Sequence, residues 1–276
     1  MNLARVLGGR LQRAAFRSIG RTGVDVRLRR NSQYTVSGLH IAWAPDESNI
    51  TRGLVVEHRI AGRDVRFFVS DENDLLQQHH LMGQFFENNE LEVIAKHFEG
   101  GTFVDIGANV GNHTLYAALF LKAERVIAFE PNPTAFKILG YNILLNGIAE
   151  KCRLHNQGLY SKDANASVVR SPERNLGGTR LAVDQTGSLR LVRGDDALRG
   201  DRITFIKIDV EALEIAVLAG LRKTIHTHQP AMLVEVDDSN RRSFFDFLES
   251  VGYCISNELA SIGNSNFLIR PGERAV

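Results

Sequence analysis

Phe103-Val104-Asp105-Ile106-Gly107-Ala108-Asn109-Val110-Gly111-Asn112-His113 is the stretch that decides the fold. An apolar run of strand character ends in an acid, a glycine-bearing turn follows, and a helical pattern begins at once. Glycine lets the backbone turn sharply and approach a ligand, and the helix N-terminus opens on the same space. A second apolar run, Arg125–Phe129, ends at Glu130, nineteen residues beyond Gly111. An acid so placed in a nucleotide-binding α/β fold accepts hydrogen bonds from ribose hydroxyls. The dinucleotide pattern G-x-G-x-x-G is absent, because Asn109 stands where its second glycine belongs. That glycine admits a pyrophosphate, so a nicotinamide dinucleotide is disfavoured. Asp105 would repel phosphate and suits a ligand with a cationic amine or sulfonium. D-x-G-x-N-x-G with a downstream Glu therefore points to S-adenosylmethionine.

Outward from this turn, strand and helix patterns alternate. Thr102–Ile106, Arg125–Phe129, Arg153–Asn156, Ile203–Ile208, Ala231–Val236, Tyr253–Ser256 and Asn266–Arg270 read as strands. Helical spacing follows the turn from His113 to Leu121, and again after Asn132-Pro133, a cap with proline at the first helical position. Helices are also read around Leu213–Leu221 and Phe244–Val251. Such alternation implies βαβ units around a mostly parallel sheet. On the N-terminal side, Leu54–Ile60 and Asp64–Val69 flank Ala61-Gly62-Arg63 as a hairpin. Leu91, Ile94, Ala95 and Phe98 mark a helix stopped by Gly100-Gly101. The polar segment 160–200 breaks the rhythm and is expected to be an irregular insertion near the ligand edge.

The 276 residues are 43% apolar and 24% charged, which excludes a disordered, collagen-like or disulfide-framed chain. The net charge of +1 is unevenly spread: residues 1–30 hold eight Arg against Asp25, or +7, leaving −6 for the rest. The expected organisation is a basic leader over 1–33, a hairpin and helical extension over 34–98, and a ligand-binding domain over 99–276. The leader lacks the apolar core of a signal peptide. It is read as a solubilising tail, with peripheral membrane or glycolipid contact as the second reading. Trp43 and the hairpin are candidates to cover the site or mediate a homodimer. Cys152 and Cys254 are expected as reduced thiols among apolar neighbours, favouring a cytoplasmic chain.

The runs Val104–Thr114, Phe129-Glu130-Pro131-Asn132-Pro133, Ile206-Lys207-Ile208-Asp209-Val210-Glu211-Ala212-Leu213-Glu214 and Pro230–Glu235 resemble the FkbM-type methyltransferase family over about residues 85–270. The resemblance implies a class I, Rossmann-like methyltransferase, with helices on both faces of a seven-stranded, mostly parallel sheet whose last strand is antiparallel. It implies O-methylation of a sugar, glycan or polyketide hydroxyl. It also implies a cofactor turn of Asp105, Ile106, Gly107, Ala108, Asn109, Gly111, Asn112 and Thr114. Glu130 would hold the ribose, with Pro131 and Asn132 among the cofactor-binding residues; Asn156, Gln157 and Gly158 would sit beside the adenine. Asp209 and Glu211 would lie at the methyl-transfer site. Ala212 stands where the family usually has glycine, and alanine fits a helical start.

Methyl transfer to an alcohol needs a positioned oxygen and a base for its proton. Asp209 is the first candidate for base or cofactor contact, Glu211 for orienting the acceptor, and His113 for either base or substrate contact. The ordinary reading of His113 is a hydrogen-bonded helix-start residue. Asn175, Gly177 and Gly178 are candidates for a substrate-side loop, and Glu235 ends the next strand on the same edge. Asp209, Glu211 and Glu235 could hold a divalent metal. The preferred reading is capping and ion-pairing acids, so no metal ligand is assigned. His79, His80, His226 and His228 are read as surface residues.

Two other functions compete. A nucleic-acid methyltransferase lacks its Asn-Pro-Pro-Tyr or Asp-Pro-Pro-Tyr mark after Ile203–Ile208, and a body of −6 is a poor phosphate-binding face, so no nucleic-acid partner is expected. A cofactor-binding module without turnover is the non-enzymatic alternative.

Overall fold

A computed structural model describes residues 53–272. The leader, Trp43 and the rest of residues 1–52 lie outside the described residues.

The chain opens with the hairpin β1 (Leu54–Ile60) and β2 (Arg63–Val69). Ala61 and Gly62 both take positive φ, 45° and 81°, the two-residue turn whose twist matches the strands it joins. Two helices follow, α1 (Leu75–Leu81) and α2 (Asn88–His97). The sequence pattern does not announce α1; it starts where the Asp74 side chain accepts from the Gln77 amide.

The main sheet is built from β3 (Gly101–Ile106), β4 (Ala123–Phe129), β5 (Cys152–His155), β10 (Ile203–Ile208), β11 (Ala231–Asp237), β12 (Tyr253–Ala260) and β13 (Asn264–Pro271). Its order is β12-β13-β11-β10-β3-β4-β5, all seven strands in one sheet. β11, β10, β3, β4 and β5 run parallel, and β13 is antiparallel to both its neighbours. From β3 the chain winds one way to β4 and β5 and later the other way to β10 and β11. Open α/β sheets bind ligands at such a reversal, outside the carboxyl ends of the strands.

Alternation along the strands supplies two cores. Phe103, Val126, Ala128, Phe205 and Leu233 face α2, α3 (Asn112–Phe120), α4 (Pro133–Leu145) and the hairpin. Val104, Ile106, Ile127, Ile206, Ile208 and Val234 face α6 (Glu214–Gly220), α7 (Arg222–His228) and α8 (Arg241–Val251). Period-two alternation therefore puts Asp105, Lys207 and Glu235 on the first face, beneath α2 and α3.

Three sequence expectations need correction. The 160–200 insertion is not irregular: it folds β6 (Gly158–Tyr160), β7 (Ala164–Arg170), β8 (Arg180–Val183) and β9 (Leu189–Arg193) into a second sheet, ordered β6-β9-β7-β8. Its polar sequence hides a small core of Ala166, Leu189 and Leu191. The short helix α5 (Gly194–Ala197) leads back to the main sheet. His80 is buried rather than superficial, stacked on Phe67 at 4.2 Å, and burial lowers its pKa to about 3. Cys152 is buried as expected, but Cys254 is exposed, because β12 is the sheet's outer strand.

Candidate active site

The turn after β3 is held by its own backbone. Gly107 and Ala108 donate their amides to the Phe129 carbonyl, each at 3.0 Å, stitching the turn to the end of β4. Gly107 has φ +84°, and a Cβ there would come 1.7 Å from the Asp209 carbonyl oxygen. Only glycine lets the ends of β3 and β10 approach so closely. Gly111, φ +95°, caps α3 and lies against Leu139, where a Cβ would meet Cδ1 at 2.6 Å.

Glu130 sits inside this frame, 7% exposed. Its Oε2 accepts from the Asn109 amide at 2.8 Å and its Oε1 from the Asn132 amide at 2.7 Å. Burial raises its pKa to about 7, against the pull of those two amides. Asn132 also caps α4, its side chain accepting from the Thr134 and Ala135 amides. Asp105 is fully buried; Oδ2 accepts from Thr114 Oγ1 at 2.6 Å, and burial raises its pKa.

A cleft of about 660 Å³, counting space open to solvent, runs along these strand ends. Ile106, Gly107, Asn109, Glu130, Pro131, Asn132 and Gly158 form one side; Asp209, Val210, Glu211 and Leu213 form another. Leu176, Gly177, Thr179 and Leu181 of the small-sheet segment close it. Of the other residues singled out in the sequence, Ala108, Gly111 and Thr114 support the turn from behind. Asn112 faces away and clamps the Phe86 backbone, accepting from its amide and donating to its carbonyl, both at 2.9 Å. Asn156 is exposed and donates to the Glu130 carbonyl at 2.8 Å, while Gln157 lies beside it outside the cleft wall. Asn175 accepts from the Gly178 amide at 3.1 Å, forming the loop that presents Gly177 to Asn109.

The far end of the cleft is a rim of carboxylates. Lys207 is 4% exposed and donates to Asp209 Oδ2 at 2.9 Å. Burial opposes its charge, yet Asp209, Asp105 and Glu87 outweigh burial and raise its pKa. One oxygen each from Glu87, Asp209 and Glu235 lie within 4.8 Å of one another. Burial and the Asp209 charge raise Glu87 to about 7; the Asp209 charge and burial raise Glu235 to about 9. Asn264 donates to Glu235 Oε1 at 2.6 Å. His113 is buried, its Nε2 is 3.6 Å from Glu87 Oε2, and burial followed by the Lys207 charge holds its pKa well below the usual value. It is therefore a neutral imidazole.

Glu211 points to Arg180, 3.5 Å from its Nε, and Arg180 donates to Asp237 Oδ2 at 2.7 Å. Glu211 and Ala212 take φ of +46° and +73°. The expected helical start at Ala212 is thus wrong: α6 begins at Glu214, and Ala212 occupies a left-handed position where glycine is at ease. Sequence reasoning missed Glu87 and Arg180. Nothing local marks Glu87, which reads as an ordinary residue before a helix; its placement at φ +59° is the only backbone sign of a special position.

A family model described as "Methyltransferase FkbM domain" matches residues 105–253. Methyltransferase 1 of Beauveria bassiana is 27% identical over 183 residues, covering 56% of this chain and 73% of that protein. Methyltransferase sdnD of Sordaria araneosa is 27% identical over 153 residues, covering 43% of this chain and 59% of that protein. The crystal structure of Methyltransferase FkbM from Methylobacillus flagellatus KT superposes with a TM-score of 0.45 and 22% identity, over 60% of this chain and 43% of that one. The chain thus spans less than half the length of the Methylobacillus protein and about three fifths of sdnD.

Proposed function

The chain belongs to the FkbM methyltransferase family, and on that premise we propose that it binds S-adenosylmethionine in the cleft and methylates a hydroxyl of a sugar, glycan or polyketide-type acceptor. The observation that carries this reading is the pairing of two carboxylates at opposite ends of one cleft: Glu130, fixed by backbone amides, and Asp209, fixed by Lys207.

The residues present fit the cofactor. Glu130 keeps unused lone pairs for two ribose hydroxyls while its amide bonds hold it still. The Asn109 side-chain oxygen is buried at the cleft wall with no hydrogen-bond partner among the described residues, an acceptor waiting for a donor. Pro131, Leu159, Leu181 and Leu191 give an apolar wall for an adenine ring. The surplus of acid around Asp209 suits a cationic centre. When bound, S-adenosylmethionine supplies a methyl carbon made electrophilic by its sulfonium.

The chain's own work is positioning and proton removal. Asp209 takes the hydroxyl proton as the acceptor oxygen is alkylated, and Lys207 holds that carboxylate in place. Glu211, oriented by Arg180, lies on the acceptor's side of the cleft. Leu176 to Leu181 cover the cleft and limit water.

Calorimetry with S-adenosylmethionine and transfer of a labelled methyl group to a fractionated host extract test the proposal. Asp209→Asn should abolish transfer and keep cofactor binding; Glu130→Ala should lose binding. Saturable binding untouched by Glu130→Ala, in a variant that still unfolds cooperatively, would sink the assignment.

A further inference from the structure

The rim holds more acid than its one buried cation can balance. Lys207 is shared among Asp209, Asp105 and Glu87, while Glu235 feels the same Asp209 and Glu87 charges. Among the described residues these carboxylates come from four elements: the residue before α2, the end of β3, the end of β10 and the end of β11. Folding has gathered carboxyl groups from distant parts of the chain, and as carboxylates they repel one another unless a proton or a cation enters.

We propose that Glu87, Asp209 and Glu235, with His113 beside them, form a binding site for a divalent cation of the Mn²⁺ type. Each of the three carboxylates offers an oxygen, and those oxygens all lie within 4.8 Å of one another, close enough for one ion to draw them together.

His113 points to the same ligand independently. It is 4% exposed, its Nε2 has no hydrogen-bond partner among the described residues, and that atom lies 3.6 Å from Glu87 Oε2. A buried ring nitrogen is seldom left without a partner. Here it faces the carboxylate cluster, where it serves either as a fourth donor or by fixing Glu87. Glu87 is itself held at φ +59°, a backbone position costly for a residue with a side chain, so its aim is imposed by its surroundings. Lys207 takes Oδ2 of Asp209 and, as a single charge, leaves the excess of acid in place. Three carboxylates and one imidazole match a hard-to-intermediate ion that accepts both oxygen and nitrogen; zinc favours sites richer in nitrogen or sulfur.

The proposed function enters only in its consequence. If the acceptor sits at the rim, a cation there stabilises the negative charge that develops on its oxygen. The site itself stands without that reading.

The chelator-stripped 276-residue chain, free of S-adenosylmethionine, is titrated with Mn²⁺. Binding is followed by loss of the free-ion paramagnetic resonance signal and by thermal unfolding. One Mn²⁺ should bind per chain and raise the unfolding midpoint. Glu87→Gln and Glu235→Gln should each weaken binding by roughly 100-fold, and His113→Ala by about tenfold. Exposed Glu249→Gln should bind as the unaltered chain does. Glu235→Gln carries a second signature: Mn²⁺, which raises the midpoint of the unaltered chain, should leave that of this variant nearly unchanged. Absence of saturable Mn²⁺ and Mg²⁺ binding overturns the site, as does binding left unchanged by all three cluster substitutions. S-adenosylmethionine is titrated separately. Mn²⁺ binding without cofactor binding removes the proposed function and keeps this site; cofactor binding without Mn²⁺ binding removes this site alone.

Discussion

The two ends of the cleft are built on opposite plans. At the Glu130 end, both carboxylate oxygens are met by amides from its own neighbourhood, Asn109 and Asn132. At the Asp209 end, Glu87, Lys207 and Glu235 come from segments up to about 150 residues apart and answer charge with charge. One end is a finished hydrogen-bonded receptor. The other crowds carboxyl groups together: burial and the Asp209 charge make Glu87 hold its proton up to about pH 7, and the Asp209 charge and burial make Glu235 hold its proton up to about pH 9. Pre-organised polar groups bind without reorganising, whereas an unbalanced cluster responds to whatever cation or proton arrives.

The harshest way to break this contrast is at the point where both ends touch. Gly107→Ala would drive a Cβ into the Asp209 carbonyl, 1.7 Å away, at a φ of +84°. Overpacking and the left-handed backbone together should cost about 3 kcal/mol or more, read by urea unfolding, with cofactor binding lost. Next comes Glu130→Gln. Its amide nitrogen would face a backbone N–H, and cofactor affinity should fall by about 2 kcal/mol, roughly thirtyfold, measured by calorimetry. Binding by the unaltered chain should need the ionised carboxylate, with Glu130 as the proposed ribose acceptor. With Glu130 raised to about 7, affinity should fall as pH drops through 7, and the Gln variant should show a flat profile. The group's contribution to folding runs the other way. It is fully present below the ordinary value of 4.5 and is lost as pH rises through about 7, because the buried acid prefers its proton.

The acceptor side should answer more gently. Arg180→Ala removes the contacts to Asp237 at 2.7 Å and Glu211 at 3.5 Å. This partly exposed pair is worth on the order of 1 kcal/mol, so KM for the acceptor should rise about fivefold while cofactor affinity stays unchanged. Ala212→Gly is the smallest change and the only one expected to help. It relieves φ +73°, and the gain should be about 1 kcal/mol, a rise of roughly 2 °C in the unfolding midpoint.

The same contrast explains what the sequence could convey. The Glu130 end was legible because its parts are near neighbours along the chain. Gly107, Gly111 and Asn132 each satisfy a local backbone need, so residue type and spacing report them directly. The succession of main-sheet strands along the chain followed from alternating periods, with β3, β4, β10 and β11 found within a residue or two. Glu87 was invisible because only tertiary packing brings it to Glu235. The small sheet was mistaken for irregular chain because its strands are short and polar, with three core residues spaced far apart. Ala212 misled for a different reason: alanine's helical preference is overridden by the left-handed turn between β10 and α6, where Ala212 takes φ +73°.

The sheet of β6 to β9 leaves the main sheet just after β5 and rejoins it before β10, with its own core between. Its Leu176–Leu181 segment reaches the cleft, while the strands that carry Glu130 and Asp209 lie outside it. Such a wall is separable in heredity as well as in space. The stretch before Leu181 can drift or lengthen while Leu159, Leu181 and Leu191 keep the proposed adenine wall, so a new acceptor would call for a new panel rather than a new enzyme.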